Sequence, residues 1–353
     1  MVICIFKFKF PKFYNNNSLK LGVIGEPCID YIHSAGPGRP DTAGRPDTAG
    51  RQETSKHLGG ILYSVVSLAV IANKHDEIYP VMNLGEDEYN NVTSFLSKFT
   101  NIKTDFIYKS PHSTRIVKLY YGTGSSDGIC HGSSIAKTYD REESSTEPAL
   151  PLSIKQINPA AGRMDGILVN MVSGKDLDLQ TLIQLRNDFK GYIHMDLHNI
   201  VMQTGEDGTR LRRPVKDWLK WCVNCGTLQM NEAEISSLSA ERMNEYKTVE
   251  IIFGSGDVKS VIITRGNRGV TMFEKKTKYS SGVSYSELDK IDLPAIETSR
   301  FIDSTGCGDV FASAFFYKNL ENNLSDMRAS MHYANRLASR KSELKGVEEL
   351  EKL

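Results

Sequence analysis

The sequence predicts an α/β fold, a doubly wound, mainly parallel sheet flanked by helices. Three observations carry that expectation. Segments 166–170, 192–196, 227–231 and 261–264 each read as a short apolar strand ending in a polar residue, with helical stretches between most of them. Leu21-Gly22-Val23-Ile24-Gly25 is an apolar run closed by glycine, as a parallel strand covered on both faces would be. The run Asp303-Ser304-Thr305-Gly306-Cys307-Gly308-Asp309 is a glycine-rich turn that leads straight into a helical pattern. Sheets of this kind gather ligands at their strand C-terminal ends, where Asn170, Asp196, Asn231 and Thr264 all fall.

Composition bounds the rest. The 353 residues suffice for one large α/β domain with an appendage, or for two ordinary ones. Hydrophobic residues at 40% and charged ones at 24% give a globular composition. Lys+Arg 43 balances Asp+Glu 43, which argues against nucleic acid or an anionic membrane as the main partner. No window approaches a transmembrane length. The six cysteines follow no framework, consistent with a reducing cytoplasm, and the lone Cys222/Cys225 pair lacks the further ligands of a zinc site. No His stands in a hydrolase-triad context, and H-E-x-x-H is absent.

Taken in order, residues 1–18 are set apart as an N-terminal extension. Phe6-Lys7-Phe8-Lys9-Phe10 alternates, with no cleavage site, and reads as an edge strand, a tail or an upstream start. A single folded domain is expected over 19–353. Asp30 falls just beyond the first strand, either as a ligand contact or as a turn-former. The hexapeptide Arg39-Pro-Asp-Thr-Ala-Gly44 is repeated at once as 45–50, a low-complexity loop within 36–55. Gly59-Gly60 opens a helix-like run, 61–73, with Leu62, Val65, Val66, Ala69 and Val70 on one side. A strand at 80–84 leads to Gly85-Glu-Asp87. Segments 106–107 and 114–121 are β-rich and read as a small sheet outside the main one. Thr264-Arg-Gly266-Asn-Arg-Gly269-Val270 reads as a strand, a glycine turn and a second strand, and a last helix covers about 327–344.

The glycine run carries the chemistry. Glycines let backbone N–H groups turn toward an anion, and a helix N-terminus adds partial positive charge there. A carboxylate placed in such a nest would repel a phosphate. Asp309 makes sense there as the group that takes a proton from a hydroxyl attacking that phosphate. The alternative is a plain glycine turn with an acidic residue in a helix's first turn. No G-x-x-x-x-G-K-[ST] occurs, so such an enzyme would not use a P-loop.

Asp303 to Asp309 resembles the signature D-T-x-G-A-G-D of the ribokinase-like (PfkB) carbohydrate kinases, with serine at the second position and cysteine for alanine. The resemblance spans about 19–346. It implies Asp309 as catalytic base and the amides of Gly306, Cys307 and Gly308 as an anion hole. It implies a small β lid, from about 30–58 and 105–135, that often forms a homodimer surface. Asp30, Gly59 and Gly60 would meet the acceptor, with Ser64 about where the family carries an asparagine and Arg115 as a lid cation or an exposed arginine. Thr264, Gly266, Gly269, Asp303, Thr305 and Asn335 would lie along the nucleotide. Asn231-Glu-Ala-Glu234 resembles the family's N-x-x-E and would position Mg²⁺ through water; alone it equally fits a helix capping box.

His198 and Ile200 stand where some members carry Asn and Arg in Asp-x-Asn-x-Arg, which disfavours keto-acid sugars as acceptors. ATP and Mg²⁺ are the implied cofactors, a monovalent cation being left open. The implied activity is transfer of the γ-phosphoryl group to a small sugar. A nucleoside kinase of the same fold and a non-catalytic sugar- or nucleotide-binding protein are the alternatives.

Overall fold

The computed structural model describes residues 18–35, 52–121, 141–204, 210–280 and 283–353. The first half holds β1 (Lys20–Ile24), β2 (Pro27–Ala35), β3 (Gln52–Gly60), α1 (Leu62–Ile71), β4 (Glu77–Gly85), α2 (Glu86–Leu96) and β5 (Ile107–Ser110). Then come β6 (Arg115–Tyr121), β7 (Arg141–Ser145), α3 (Ile154–Ala161), β8 (Gly166–Asn170), α4 (Leu179–Asp188) and β9 (Tyr192–Asp196). A 3-10 turn at His198–Val201 precedes the ribbon β10 (Met202–Thr204) and β11 (Arg210–Arg212). The remainder is α5 (Trp218–Val223), β12 (Thr227–Asn231), α6 (Glu232–Leu238), α7 (Glu245–Ser255), β13 (Ser260–Thr264), β14 (Val270–Ser280), β15 (Val283–Leu293), α8 (Cys307–Glu321) and α9 (Met327–Lys341).

Among the described residues the main sheet has nine strands in the order β15-β14-β13-β12-β9-β8-β1-β4-β5. From β13 to β5 every pairing is parallel, and β14 and β15 continue the edge antiparallel. The expected doubly wound, mainly parallel sheet is therefore present. Its physical basis is the strand pattern: consecutive side chains point to opposite faces, and both faces are apolar. In β8, Ile167 and Val169 pack with Leu182 of α4 and Ile252 of α7, whereas Leu168 packs on the other face with Val65 of α1 and Phe316 of α8. Side chains as fully buried as these contribute about 1.5–3 kcal/mol each.

The small sheet, β3-β2-β6-β7, stands apart from the main one. One expectation fails here. Residues 106–107 do not join it, because β5 pairs in parallel with β4, Met82 opposite Ile107, at the edge of the main sheet. The cause is burial: Phe106 and Ile107 are each 6% exposed, packed in the two apolar layers rather than outside them. Residues 1–17, the tandem repeat at 39–50 and the stretch 122–135 lie outside the described residues. No described helix is long and apolar enough to cross a membrane.

Candidate active site

The strand ends form a row. Asn170 is the register partner of Asp196, Asp196 of Gln229, and Asn231, two residues beyond Gln229, of Thr264, so β8, β9, β12 and β13 all carry polar residues at their C-terminal ends. The first turn of α8 docks on this row. Gln229 Nε2 donates to Asp196 Oδ2 at 2.9 Å and to the Gly308 carbonyl at 3.1 Å.

α8 starts where glycine alone fits. Gly306 has φ +82°, and a Cβ there would lie 2.2 Å from the Tyr63 ring. The turn before it closes on itself: Thr305 N–H donates to Asp303 Oδ1 at 2.8 Å, and Cys307 N–H to the Ser304 carbonyl at 3.1 Å. The Cys307 amide is thus engaged within the turn, which makes Gly306 and Gly308 the better candidates for an anion. Burial pushes the Cys307 thiol up to about 12, so it offers no thiolate nucleophile.

Asp309 lies in the first turn of α8, 8% exposed. Asn170 Nδ2 donates to its Oδ1 at 2.6 Å, fixing the carboxylate while leaving Oδ2 outside that bond. Around it the charges are coupled. Burial raises the Asp196 carboxyl well above its usual range; His198 opposes this, and the charges of Glu234 and Asp309 add to it. Burial likewise raises Glu234. Burial alone would lower His198, but Asp309, Asp196 and Glu234 together raise it. His198 also holds a left-handed backbone, φ +40°, with its N–H donating to Asp196 Oδ1 at 3.2 Å. The three acidic groups around His198 thus favour its protonated form, and that charge offsets part of theirs.

Asp309, Gly306 and Thr305 form one wall of a cavity of about 90 Å³. Asp30, Gly60 and Arg115, brought by the small sheet, form another. Asp30 is 4% exposed and accepts the Cys28 thiol at 3.1 Å. A Cβ on Gly59 would lie 2.2 Å from Asp30 Oδ2, and Gly60, at φ +63°, carries the chain into α1. Arg115 is buried, not exposed. Its Nη2 donates to Ser145 Oγ at 3.0 Å and its Nη1 reaches the Val172 carbonyl at 3.5 Å, while its Nε has no hydrogen-bond partner among the described residues.

Ser64 does not line this cavity. One position along the helix turns it between α1 and α8, where its carbonyl accepts the Ser313 hydroxyl at 3.2 Å, and Tyr63 takes the place at the cavity.

Asn231 and Glu234 form a complete capping box at the start of α6. Asn231 Oδ1 accepts Glu234 N–H at 2.9 Å, and the Glu234 oxygens accept Asn231 N–H at 2.7 Å and Nδ2 at 2.6 Å. Each oxygen spends one acceptor position, and a carboxylate has about four. Room remains for metal-bound water, so the pair fits a hydrated magnesium ion as an outer contact. Among the described residues no group of three or more His, Cys, Asp and Glu side chains could hold a metal alone.

Thr264 ends β13, and the turn after it needs both glycines: Gly266 has φ +57° and Gly269 φ +95°, where a Cβ would strike the Leu293 carbonyl. Asn335 sits on α9, donates to the Pro294 carbonyl at 2.9 Å and does not line this cavity. A larger cavity, about 360 Å³, opens at the opposite strand ends beside Tyr192 and Lys259 and contains none of these groups.

Residues 209–351, which include both Asn231–Glu234 and Asp303–Asp309, match the model of the pfkB family carbohydrate kinases. No curated protein matches the sequence. Solved structures similar to the chain include ribokinase from Thermotoga maritima, at 18% identity and TM-score 0.66 over 94% of this chain and 95% of that one. Ribokinase from Arabidopsis thaliana, complexed with ribose and ATP, matches at 16% identity and TM-score 0.63, over 96% and 100%. The nucleoside kinase of Methanocaldococcus jannaschii matches at 15% identity and TM-score 0.60, over 94% and 95%. The chain thus has the ribokinase-like fold along nearly its whole length. Its likeness to the PfkB carbohydrate kinases, read first from the glycine run, extends to the family pattern of its C-terminal part.

Proposed function

We propose that the chain is an ATP-dependent phosphotransferase that moves the γ-phosphoryl group to a hydroxyl of a small sugar or sugar derivative. One observation carries this reading. The Asp309 carboxylate, pinned by Asn170 at the N-terminus of α8, lines a cavity whose other wall holds Asp30.

The chemistry follows from that placement. The acceptor hydroxyl gives its proton to Asp309 as its oxygen bonds to the γ-phosphorus; the bond to the bridging oxygen breaks and ADP leaves. The Gly306 and Gly308 N–H groups and the α8 N-terminus receive the charge on the transferring group. Asp30 accepts from acceptor hydroxyls, and Arg115, whose Nη1 reaches from the small sheet to the Val172 carbonyl at 3.5 Å, keeps that sheet over the acceptor. Magnesium, when bound with the nucleotide, neutralises phosphate charge, and Asn231 and Glu234 would hold it through water.

The nucleoside kinase among the similar folds keeps nucleosides as the second reading of the acceptor.

Nucleotide consumption by the purified protein, with Mg²⁺ and a panel of sugars and nucleosides, tests the proposal. The expected result is ATP turnover that depends on a sugar. Turnover with nucleosides alone would move the chain to the second reading. ATP binding without turnover on any acceptor would make it a non-catalytic binding protein.

A further inference from the structure

Lys341, in the last turn of α9, has a side chain with no exposure to solvent. An ammonium taken out of water is costly unless oxygens replace its hydration. Here they do. Lys341 Nζ donates to the Leu344 carbonyl at 2.9 Å and to the Asp303 carbonyl at 3.4 Å, and lies 3.6 Å from Asp303 Oδ2. The Tyr63 ring closes the other side, its centroid 5.6 Å away.

The partners tie this ammonium to the anion-site loop. Asp303 opens the loop, and its Oδ1 fixes the Thr305 amide. Its Oδ2 has no hydrogen-bond partner among the described residues, so the Lys341 charge is what compensates it. Tyr63 is the ring against which Gly306 packs. The α9 end also holds the approach to the loop: Ile302 and Asp303 N–H groups both donate to the Ser342 carbonyl, at 2.7 and 3.1 Å. One buried charge therefore braces both the start of the loop and the ring beneath its glycine.

We propose that Lys341 is a built-in monovalent cation that positions the Asp303–Gly308 loop, so that this chain needs no free monovalent ion there. Its oxygen cage would accept a potassium or ammonium ion once the side chain is removed. Lys341 touches neither reacting group, so it is a positioning residue. The activity readouts rest on the phosphotransferase reading; the binding readout does not.

The test compares the full chain with Lys341→Ala and Lys341→Met in potassium, ammonium and tetramethylammonium chloride at equal ionic strength. Wild-type turnover is expected to be the same in all three salts. In tetramethylammonium the alanine variant is expected to lose ~10²-fold in kcat with little change in nucleotide KM, as for a displaced catalytic loop. Potassium or ammonium should restore much of that loss. The methionine variant, which fills the cage without charge, should lose activity and not be rescued.

A wild-type enzyme that itself requires potassium, or an alanine variant indifferent to the salt, overturns the proposal. Crystals of the alanine variant soaked in rubidium supply the binding readout. An anomalous peak between Asp303 and Leu344 upholds the cage even if no acceptor is ever turned over, and its absence overturns it. If the alanine variant folds in no salt, the methionine variant decides by kcat at an unchanged melting temperature. A loss upholds the role and undiminished turnover overturns it.

Discussion

Glu26 shows how a single side chain can link stability to pH in this protein. It follows β1, is 5% exposed, accepts Ala149 N–H at 2.5 Å, and donates its own N–H to Asp176 at 2.7 Å. Burial first, and the Asp176 charge second, push its carboxyl from the ordinary 4.5 to about 7, against the pull of Arg115. The folded state therefore keeps a proton that the unfolded chain gives up near 4.5. Between those values the native state binds more protons, so this stabilisation is present at low pH and lost as pH rises toward 7. At about 1.4 kcal/mol per pH unit the effect is on the order of 3 kcal/mol. Glu26→Gln should flatten this fall, as measured by urea unfolding at pH 5 and pH 7.5. An identical pH slope in both proteins would contradict it.

The sequence disclosed some residues and hid others for physical reasons. Asp309 and Asp30 were legible because each follows a strand or glycine pattern that has few other uses. Tyr63, Gln229 and Lys341 were not. A tyrosine in an apolar helix reads as core, a glutamine within a strand as an outward residue, and a lysine in a last helical turn as a solvated dipole partner. Only tertiary packing sets the first beneath Gly306, the second on Gly308 and the third on Asp303.

At the scale of elements, the register of β2 and β3 shapes the cavity wall that holds Asp30. Gly59 pairs with Cys28, which places it on the same face as Asp30, two residues along β2. A methyl group there would lie 2.2 Å from the Asp30 carboxylate. Gly59→Ala should therefore displace Asp30 and raise the acceptor KM about 10-fold, the equivalent of ~1.4 kcal/mol, with nucleotide affinity unchanged. Steady-state kinetics in both substrates checks this; a nucleotide KM that moves equally would place Gly59 elsewhere in the mechanism.

The four strands with polar ends were readable because fully buried parallel strands are short, apolar and bounded by turns. β5 was misplaced because four residues of β character do not say which sheet they join. That is settled by the crossover through α2, which returns the chain beside β4. The capping box at Asn231–Glu234 was visible in the sequence as one of two roles, and it forms without preventing the other.

On the scale of the whole molecule, function depends on bringing distant parts of the chain to one place. The carboxylate at 309 is held by an amide at 170, the loop before it rests on a ring at 63, and the opposing carboxylate comes from 30. The large sheet supplies the fixed row of strand ends, and the smaller sheet supplies the cavity wall that holds Asp30 and Arg115. A neutral molecule does not steer phosphate by net charge, so attraction falls to the N-terminus of α8. The claim on which all of this turns is that Asp309 acts on a proton rather than on binding.

The most direct test is a comparison of wild type with Asp309→Asn, measuring nucleotide affinity by calorimetry and single-turnover phosphoryl transfer on the same preparations. Asparagine keeps the shape and the Asn170 neighbour but cannot accept the hydroxyl proton. The account predicts near-unchanged nucleotide affinity with transfer slowed ~10²–10⁴-fold. Transfer at the wild-type rate with nucleotide bound as tightly would contradict it.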